Sequence, residues 1–435
     1  MNRLLQNILT GIFCTTLFMS ISANAQQHDS TIDRILSNIQ HEQVKKIIAD
    51  PNHYRCQVIY TQIDRSEKGA PRFTHHRFNV DSNLYFNPAS MVKMPLAFLS
   101  LEKLNEMKIA GVNKYSHMAF DSSHEKQVAM KNDSSAKNFK PSIAQFIRRA
   151  MLISENDPYN RMYQFVGQER ANRKLIEKGY ASSRITRQFM GYTEDQNRHT
   201  NGIRFFDDEG KLVYHQQPAY NRDSIRFPST VLIGDKHINR NDELVDGPFD
   251  FTRHNNISLD DMRQMLQAVI YPTSVPKHQR FYMTETDRLF MLRYMSQYPS
   301  ETPYPHYDSS IFYDSYVKFF FQDSTHTIPS HIRVFNKVGW AYGFLTDVSY
   351  VMDTKNNIDY MLSATVYANS DGVINDSKYD EESMGFPFFR ELGKAVYQYE
   401  LQRPRLHQPP LKIKGLEYEK RDPLDKRPTI KMADN

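Results

Sequence analysis

The chain has 435 residues, 55 Lys and Arg against 50 Asp and Glu, a net formal charge of +5 and 12% aromatic residues. At about 150 residues per domain this suits two or three domains, or one domain with large insertions, and leaves ample chain for a core. The charge is weak and spread out, which excludes a nucleic-acid footprint. The 16 glycines exclude a collagen-like or Gly-rich chain, and 27 Phe with 26 Tyr argue against disorder over most of the length.

The first 25 residues read as a signal peptide. Arg3 gives a positive start, residues 4–21 are mostly apolar, and Ala23-Asn24-Ala25 supplies the small residues of a cleavage site after Ala25. The expected location is periplasmic or secreted, and no later stretch is apolar enough to span a bilayer. Cys56 is then the one remaining cysteine. It sits in an apolar strand pattern and reads as a core filler, so no disulfide framework is available and packing must supply stability.

In chain order, residues 30–48 read as one amphipathic helix with Ile32, Ile35, Leu36, Ile39, Val44 and Ile48 apolar. Residues 54–63 and 72–80 read as strands of a hairpin turning at 65–69. Residues 86–90 form a loop leading into an apolar segment at 91–104. Ser142 is a natural N-cap for a helix to about residue 153, and further helices are expected at 159–166 and 170–178. From 193 to 250 the pattern dissolves, which predicts an insertion with short elements of its own. Helices follow at 258–271 and 284–298, each opened by a Ser or Thr cap. Strands are expected at 332–339, 347–352 and 360–368, and a last helix at 386–401. Residues 403–435, rich in proline and charge, read as an extended polar tail. Residues 26–402 thus form one composite α/β (α+β) domain: a mostly antiparallel sheet built from both chain ends, flanked by helices, with a central all-helical lobe.

Metal motifs are absent. His41-Glu42 and His124-Glu125 each begin an H-E-x-x-H pattern, but the fifth positions are Lys45 and Val128. These histidines read as surface residues. There is no G-x-S-x-G elbow and no phosphate-cradling glycine loop.

Serine chemistry is better supported. S-x-x-K occurs at least six times, so alone it selects nothing. Context selects Ser90 and Lys93: the pair follows the hairpin and opens the apolar segment. At a helix start the two lie on one face. The lysine can take the serine proton if burial or another cation lowers its pKa. Pro95 makes the first turn irregular. Ser154-Glu155-Asn156 closes the helix begun at Ser142 and is the only S-x-N outside the leader. Lys337-Val338-Gly339 lies in a strand pattern and is the only K-x-G. S-x-x-K, S-D-N and K-T-G together are a constellation of serine acylases.

On these motifs the chain resembles the class A β-lactamase and penicillin-binding protein superfamily. The likeness extends to the first hairpin, to the run from Phe86 to Ala97, to Ile185-Thr186-Arg187 before the family's omega loop, and to the strand and hairpin at 336–351. The resemblance implies Ser90 as acylated nucleophile and Lys93 as its proton acceptor. Ser154 would relay the proton to the leaving nitrogen, and Asn156, Lys337 and Gly339 would bind substrate. The backbone N–H groups of Ser90 and Trp340 would form the oxyanion hole. It implies a small-molecule β-lactam or a peptidoglycan-derived substrate, with no metal or organic cofactor and no nucleic-acid partner.

Three departures stand out. Glu155 replaces the usual Asp, and Val338 the usual Thr or Ser. Class A β-lactamases also activate the deacylating water with a glutamate followed four residues later by an asparagine. No such pair follows Arg187: Glu194, the nearest acid and the candidate water base, is followed four residues on by Arg198. Three readings remain open: a class A-like β-lactamase conferring resistance, a D,D-peptidase or penicillin-binding-type hydrolase with slow deacylation, and a non-catalytic cell-wall-binding relative.

Overall fold

The computed structural model describes residues 29–433. The signal-peptide expectation, residues 1–25, lies outside them. The chain opens with α1 (Ser30–Ser37) and α2 (Glu42–Ala49), then β1 (Gln57–Arg65) and β2 (Pro71–Phe78). The expected single helix over 30–48 is therefore two. Asn38 closes α1 with its N–H on Ile35 and Leu36 carbonyls, and extended His41 starts α2. The break turns the second face, so that Ile47 is buried rather than the expected Ile48.

A helical lobe follows, with α3 (Lys93–Met107), α4 (Ile143–Leu152), α5 (Asn156–Val166) and α6 (Gln168–Glu177), and the short β3 (His117–Phe120) lying between α3 and α4. Residues 193–250 hold α7 (Glu194–Arg198), β4 (Ile203–Phe206), β5 (Leu212–Gln216), β6 (Leu232–Ile233), β7 (Lys236–Ile238), β8 (Leu244–Asp246) and β9 (Phe249–Asp250). This segment is stitched to the rest of the fold: β4 pairs with β3, and β7 pairs with the later β13 (Val373–Ile374). The chain returns through α8 (Leu259–Ile270) and α9 (Glu285–Ser296) to β10 (Ile332–Ala341), β11 (Phe344–Asp353) and β12 (Ile358–Tyr367), and then α10 (Phe386–Gln402).

The main sheet is five-stranded, antiparallel, in the order β10-β11-β12-β1-β2. Both chain ends build it: Val58 of β1 stands opposite Ala364 of β12. Strands β11 and β12 are buried along their whole length, because both sheet faces are covered. One face, with Ile59, Phe335, Val348 and Met361, packs on the helical lobe. The other, with Val58, Val334, Val351 and Leu362, packs on α1, α2 and α10. Cys56 is fully buried in this second layer, where desolvation pushes its thiol pKa up and leaves it inert. Residues 403–433 form no helix or named strand, yet Arg421 donates to the carbonyls of Pro299, Thr302 and Tyr307, and Leu411, Ile413 and Ile430 pack on the core. Among the described residues no helix is long and apolar enough to cross a membrane.

The seat of α10 is tight. A Cβ on Gly393 would stand 2.2 Å from the carbonyl oxygen of Phe320. Gly393→Ala therefore has to push α10 off the 319–321 turn. It is expected to cost roughly 1–3 kcal/mol, read as a lowered urea midpoint at unchanged slope; an unchanged midpoint would contradict this packing.

Candidate active site

Three backbone features bring the sequence-selected residues together. Residues 89–92 form a 3₁₀ turn before α3, and Ala89 takes a left-handed φ of +43°. The Asn87 side chain holds that turn by accepting the Ala89 N–H at 2.8 Å. Pro95 falls in the first turn of α3, where its missing N–H costs no helical bond. Ser154 joins α4 to α5 at φ +69°, a conformation that costs a non-glycine residue on the order of 1 kcal/mol. Gly339 explains itself by contact. A Cβ there would stand 2.2 Å from the Pro88 carbonyl oxygen, so only glycine lets β10 lie against the turn that carries Ser90.

Lys93 is fully buried beneath Ser90. Its Nζ donates to Ser90 Oγ at 2.8 Å, to Asn156 Oδ1 at 2.7 Å and to the Ser154 carbonyl, with Ser154 Oγ at 3.3 Å. It makes no ion pair with a carboxylate among the described residues. Burial, then the nearby Lys337 charge, hold its pKa well below the ordinary lysine value, against a smaller pull from Glu155. The partner set accommodates the neutral amine that burial favours. The Ser154 carbonyl and Asn156 Oδ1 can only accept, so they take the two N–H groups of a neutral amine. The lone pair is then left for the Ser90 hydroxyl proton.

Lys337, on the face of β10 toward the lobe, donates to Ser154 Oγ at 2.7 Å and to the Val338 carbonyl at 2.8 Å. Burial and the charge of Lys318 bring it down to about 7. A continuous chain of polar contacts therefore runs from Ser90 through Lys93 and Ser154 to Lys337. Behind it, on the other sheet face, Lys318 donates to Asn336 Oδ1, and Asn336 Nδ2 donates to Asp347 Oδ1 at 2.9 Å.

Ser90, Asn156 and Trp340 line a cavity of about 520 Å³ together with Phe189, His254 and Tyr342. No Asp or Glu is among its lining residues. A larger hollow of about 670 Å³ lies between α1 and α10, but no Ser, Thr or Cys lines it. The Trp340 indole is 46% exposed and donates to Glu381 Oε1 at 2.9 Å. Phe189 stacks on Tyr159 with centroids 4.4 Å apart, and Lys93 Nζ lies 5.2 Å from its centroid. Arg187 Nη1 meets His254 Nε2 at 2.8 Å, and burial with the Arg187 charge lowers the His254 pKa to about 3, so its imidazole is neutral.

The remaining expected residues fall elsewhere. Glu194 is not brought to Ser90: it is half-exposed, pairs with Arg253 at 2.6 Å and lies outside the lining of the serine cavity. It is the first residue of α7, whose Asn197 rather than Glu194 faces the cleft wall, and no sequence signal fixed that path. Glu155 points away into a buried cluster, pairing with Arg149 at 2.6 Å and accepting from the Tyr307 hydroxyl. Val338 packs in the core of the far sheet face, opposite to Lys337. Sequence reading missed His254, Tyr342 and Phe189 as cavity walls. Only Phe189 had a signal, its place just after Thr186-Arg187.

Ser90, Lys93, Ser154 and Lys337 thus form one row of polar contacts beside β10. The chain belongs to the β-lactamase enzyme family, whose model matches residues 40–400, and is thus a β-lactamase-like hydrolase. Solved structures similar to it include a β-lactamase from Sphaerobacter thermophilus DSM 20745, at 12% identity over 82% of this chain and 95% of that one, TM-score 0.43. Another is a β-lactamase from Chitinophaga pinensis DSM 2588, at 10% identity over 82% and 99%, TM-score 0.47. A third is PBP-A, at 12% identity over 84% and 94%, TM-score 0.45. No curated protein matches the sequence.

The electrostatics of the pair can be read directly. Because Lys337 lowers the Lys93 pKa, Lys337→Met is expected to raise it. Nitrogen-15 NMR of the lysine Nζ groups, with Lys93 assigned by substitution, should show the Lys93 midpoint well below 10.5 in the native chain and higher in the variant. A midpoint that stays put would remove Lys337 as a cause.

Proposed function

We propose that the chain is an exported serine hydrolase of the penicillin-binding type, which opens a β-lactam amide by forming an acyl-enzyme on Ser90 and releases it slowly. The carrying observation is the buried Lys93 Nζ, held by the Ser154 carbonyl and Asn156 Oδ1 at 2.8 Å from Ser90 Oγ, where a neutral amine has a lone pair to offer the serine proton. Ser90 Oγ would attack the carbonyl carbon while its proton passes to Lys93. The oxyanion would be received by the backbone N–H groups of Ser90 and Trp340. Lys93 and Ser154 would then deliver the proton to the leaving nitrogen, as the C–N bond breaks. Lys337 offers positive charge for a substrate carboxylate, and Asn156 lines the cavity for the amide side chain. Export rests on the leader at residues 1–25.

Slow release is supported by Phe189. A deacylating water needs a base within hydrogen-bond reach of the ester. Phe189 covers Lys93 on the side reached just after Thr186-Arg187, and no carboxylate lines the cavity. The neutral His254 has too low a pKa to serve as an effective base at neutral pH. This favours a D,D-peptidase or penicillin-binding-type hydrolase over a fast β-lactamase.

Intact mass spectrometry after mixing with a penicillin tests the reading. An adduct mapping to Ser90 and persisting over many minutes is expected, and Ser90→Ala should abolish it. Phe189→Glu, which puts a carboxylate beside the acylated serine, should shorten the adduct lifetime by about tenfold or more. Rapid return to the free mass in the native chain would restore the β-lactamase reading. No adduct at all would overturn the acylase proposal.

A further inference from the structure

The sequence pattern at His124-Glu125 fails as a zinc motif because position 128 is valine. The fold supplies a different second histidine. His199, at the C-terminal end of α7, stacks face to face on His124 with ring centroids 3.7 Å apart. Asp195 sits one helical turn before His199, with its Oδ2 at 3.6 Å from His199 Nε2. Ligand atoms of His124, Asp195 and His199 all lie within 4.8 Å of one another.

We propose that these three side chains bind a zinc-class transition-metal dication. Two imidazoles with one carboxylate suit such an ion and disfavour magnesium or calcium, which take oxygen sets. Ligands at about 2.0–2.2 Å around a tetrahedral ion stand roughly 3.4 Å apart, so the ligand atoms have to close by up to about 1.4 Å, and the two imidazoles have to turn out of their stack to point in-plane at one ion. Asp195 is exposed and both histidines are partly so, which leaves an entry path and room for water as the fourth ligand. The ring nitrogens of His124 and His199 make no hydrogen bond among the described residues, so binding breaks none.

The surrounding groups already fix the ligands. The Tyr220 hydroxyl donates to Asp195 Oδ1 at 3.1 Å, leaving Oδ2 turned to His199. Gln127 Oε1 accepts the His124 N–H at 3.0 Å and shapes that loop. A Thr193–Gln196 capping box starts α7, and Gln196 also donates to Glu125 beside His124. The ion would clip residues 193–250 to the loop after β3. It would also brace the cleft wall, since Asn197 of α7 accepts the Gln188 N–H at 2.8 Å and Gln188 lines the serine cavity. The clip does not depend on chemistry at Ser90.

Calorimetry and thermal melting of the tag-free, EDTA-stripped mature protein test this. Zinc should bind one per chain and raise Tm by about 3 °C or more at a hundredfold excess over Kd, while magnesium does neither. Cobalt substituted for zinc should show visible absorption bands of a four-coordinate site. His199→Gln and His124→Gln should each weaken zinc binding at least tenfold while keeping the native circular dichroism. His407→Gln, at an exposed histidine far along the chain, should leave it unchanged. Absence of saturable zinc binding, or binding that survives both His199→Gln and His124→Gln, would overturn the proposal. Should either variant lose its native circular dichroism, Asp195→Asn supplies the same test.

Discussion

A lysine side chain sealed from water without a carboxylate partner is the constraint around which the cleft is built. Burying an ammonium alone is costly, and proteins usually answer with an ion pair or with loss of the proton. Lys93 has three neutral groups around it and a second cation beyond them. Burial therefore favours the amine, whose nitrogen stands 2.8 Å from Ser90 Oγ. Adding a nearby carboxylate would relieve the burial cost, but it would also hold the proton on Lys93 and remove the base. Glu155, the one acid with a reach toward Lys93, is itself tied up by Arg149 and Tyr307.

The fold maintains this arrangement by close approach rather than by flexible contacts. Gly339 lets β10 touch the Pro88 carbonyl, which sets the distance between Lys337 and the Ser90 turn. The left-handed Ser154 points its carbonyl and its hydroxyl at two different lysines. On the opposite sheet face Asn336 sits between Lys318 and Asp347, where burial lowers the lysine and raises the acid. The charge of Lys318 reaches through the strand to Lys337. Changes in the second apolar layer can thus reach the cleft without touching it.

Much of this was legible in the residues, for physical reasons. The hairpin, the three C-terminal strands and α10 lie within a few residues of where they were expected, and Ser142, Ser258 and Thr284 cap their helices as expected. Ser90, Lys93, Ser154 and Lys337 were recoverable because their motifs are short and local, with only their joint order distinguishing them. The path of residues 193–250 was not, since its strands are two to five residues long and β4 and β7 pair with strands far off in the chain. For the same reason Glu194 could be named from sequence but not placed. Phe189, His254 and Tyr342 meet at the cavity from three separate segments, and nothing in their spacing forecasts that meeting. The His124–His199 stack escaped for a related cause: four helices separate its halves along the chain, and the pairing of β3 with β4 brings them together.

The central claim is that a neutral Lys93, kept so partly by Lys337, accepts the Ser90 proton. The rate of acylation by a chromogenic cephalosporin, followed by stopped flow from pH 6 to 10, tests it most directly. Acylation that needs the free amine rises with pH through the Lys93 pKa. The account predicts that the rise has its midpoint well below 10.5 in the native chain. In Lys337→Met the midpoint moves to higher pH, whatever the loss in absolute rate. A profile flat with pH, or one whose midpoint does not move when Lys337 is replaced, would contradict it.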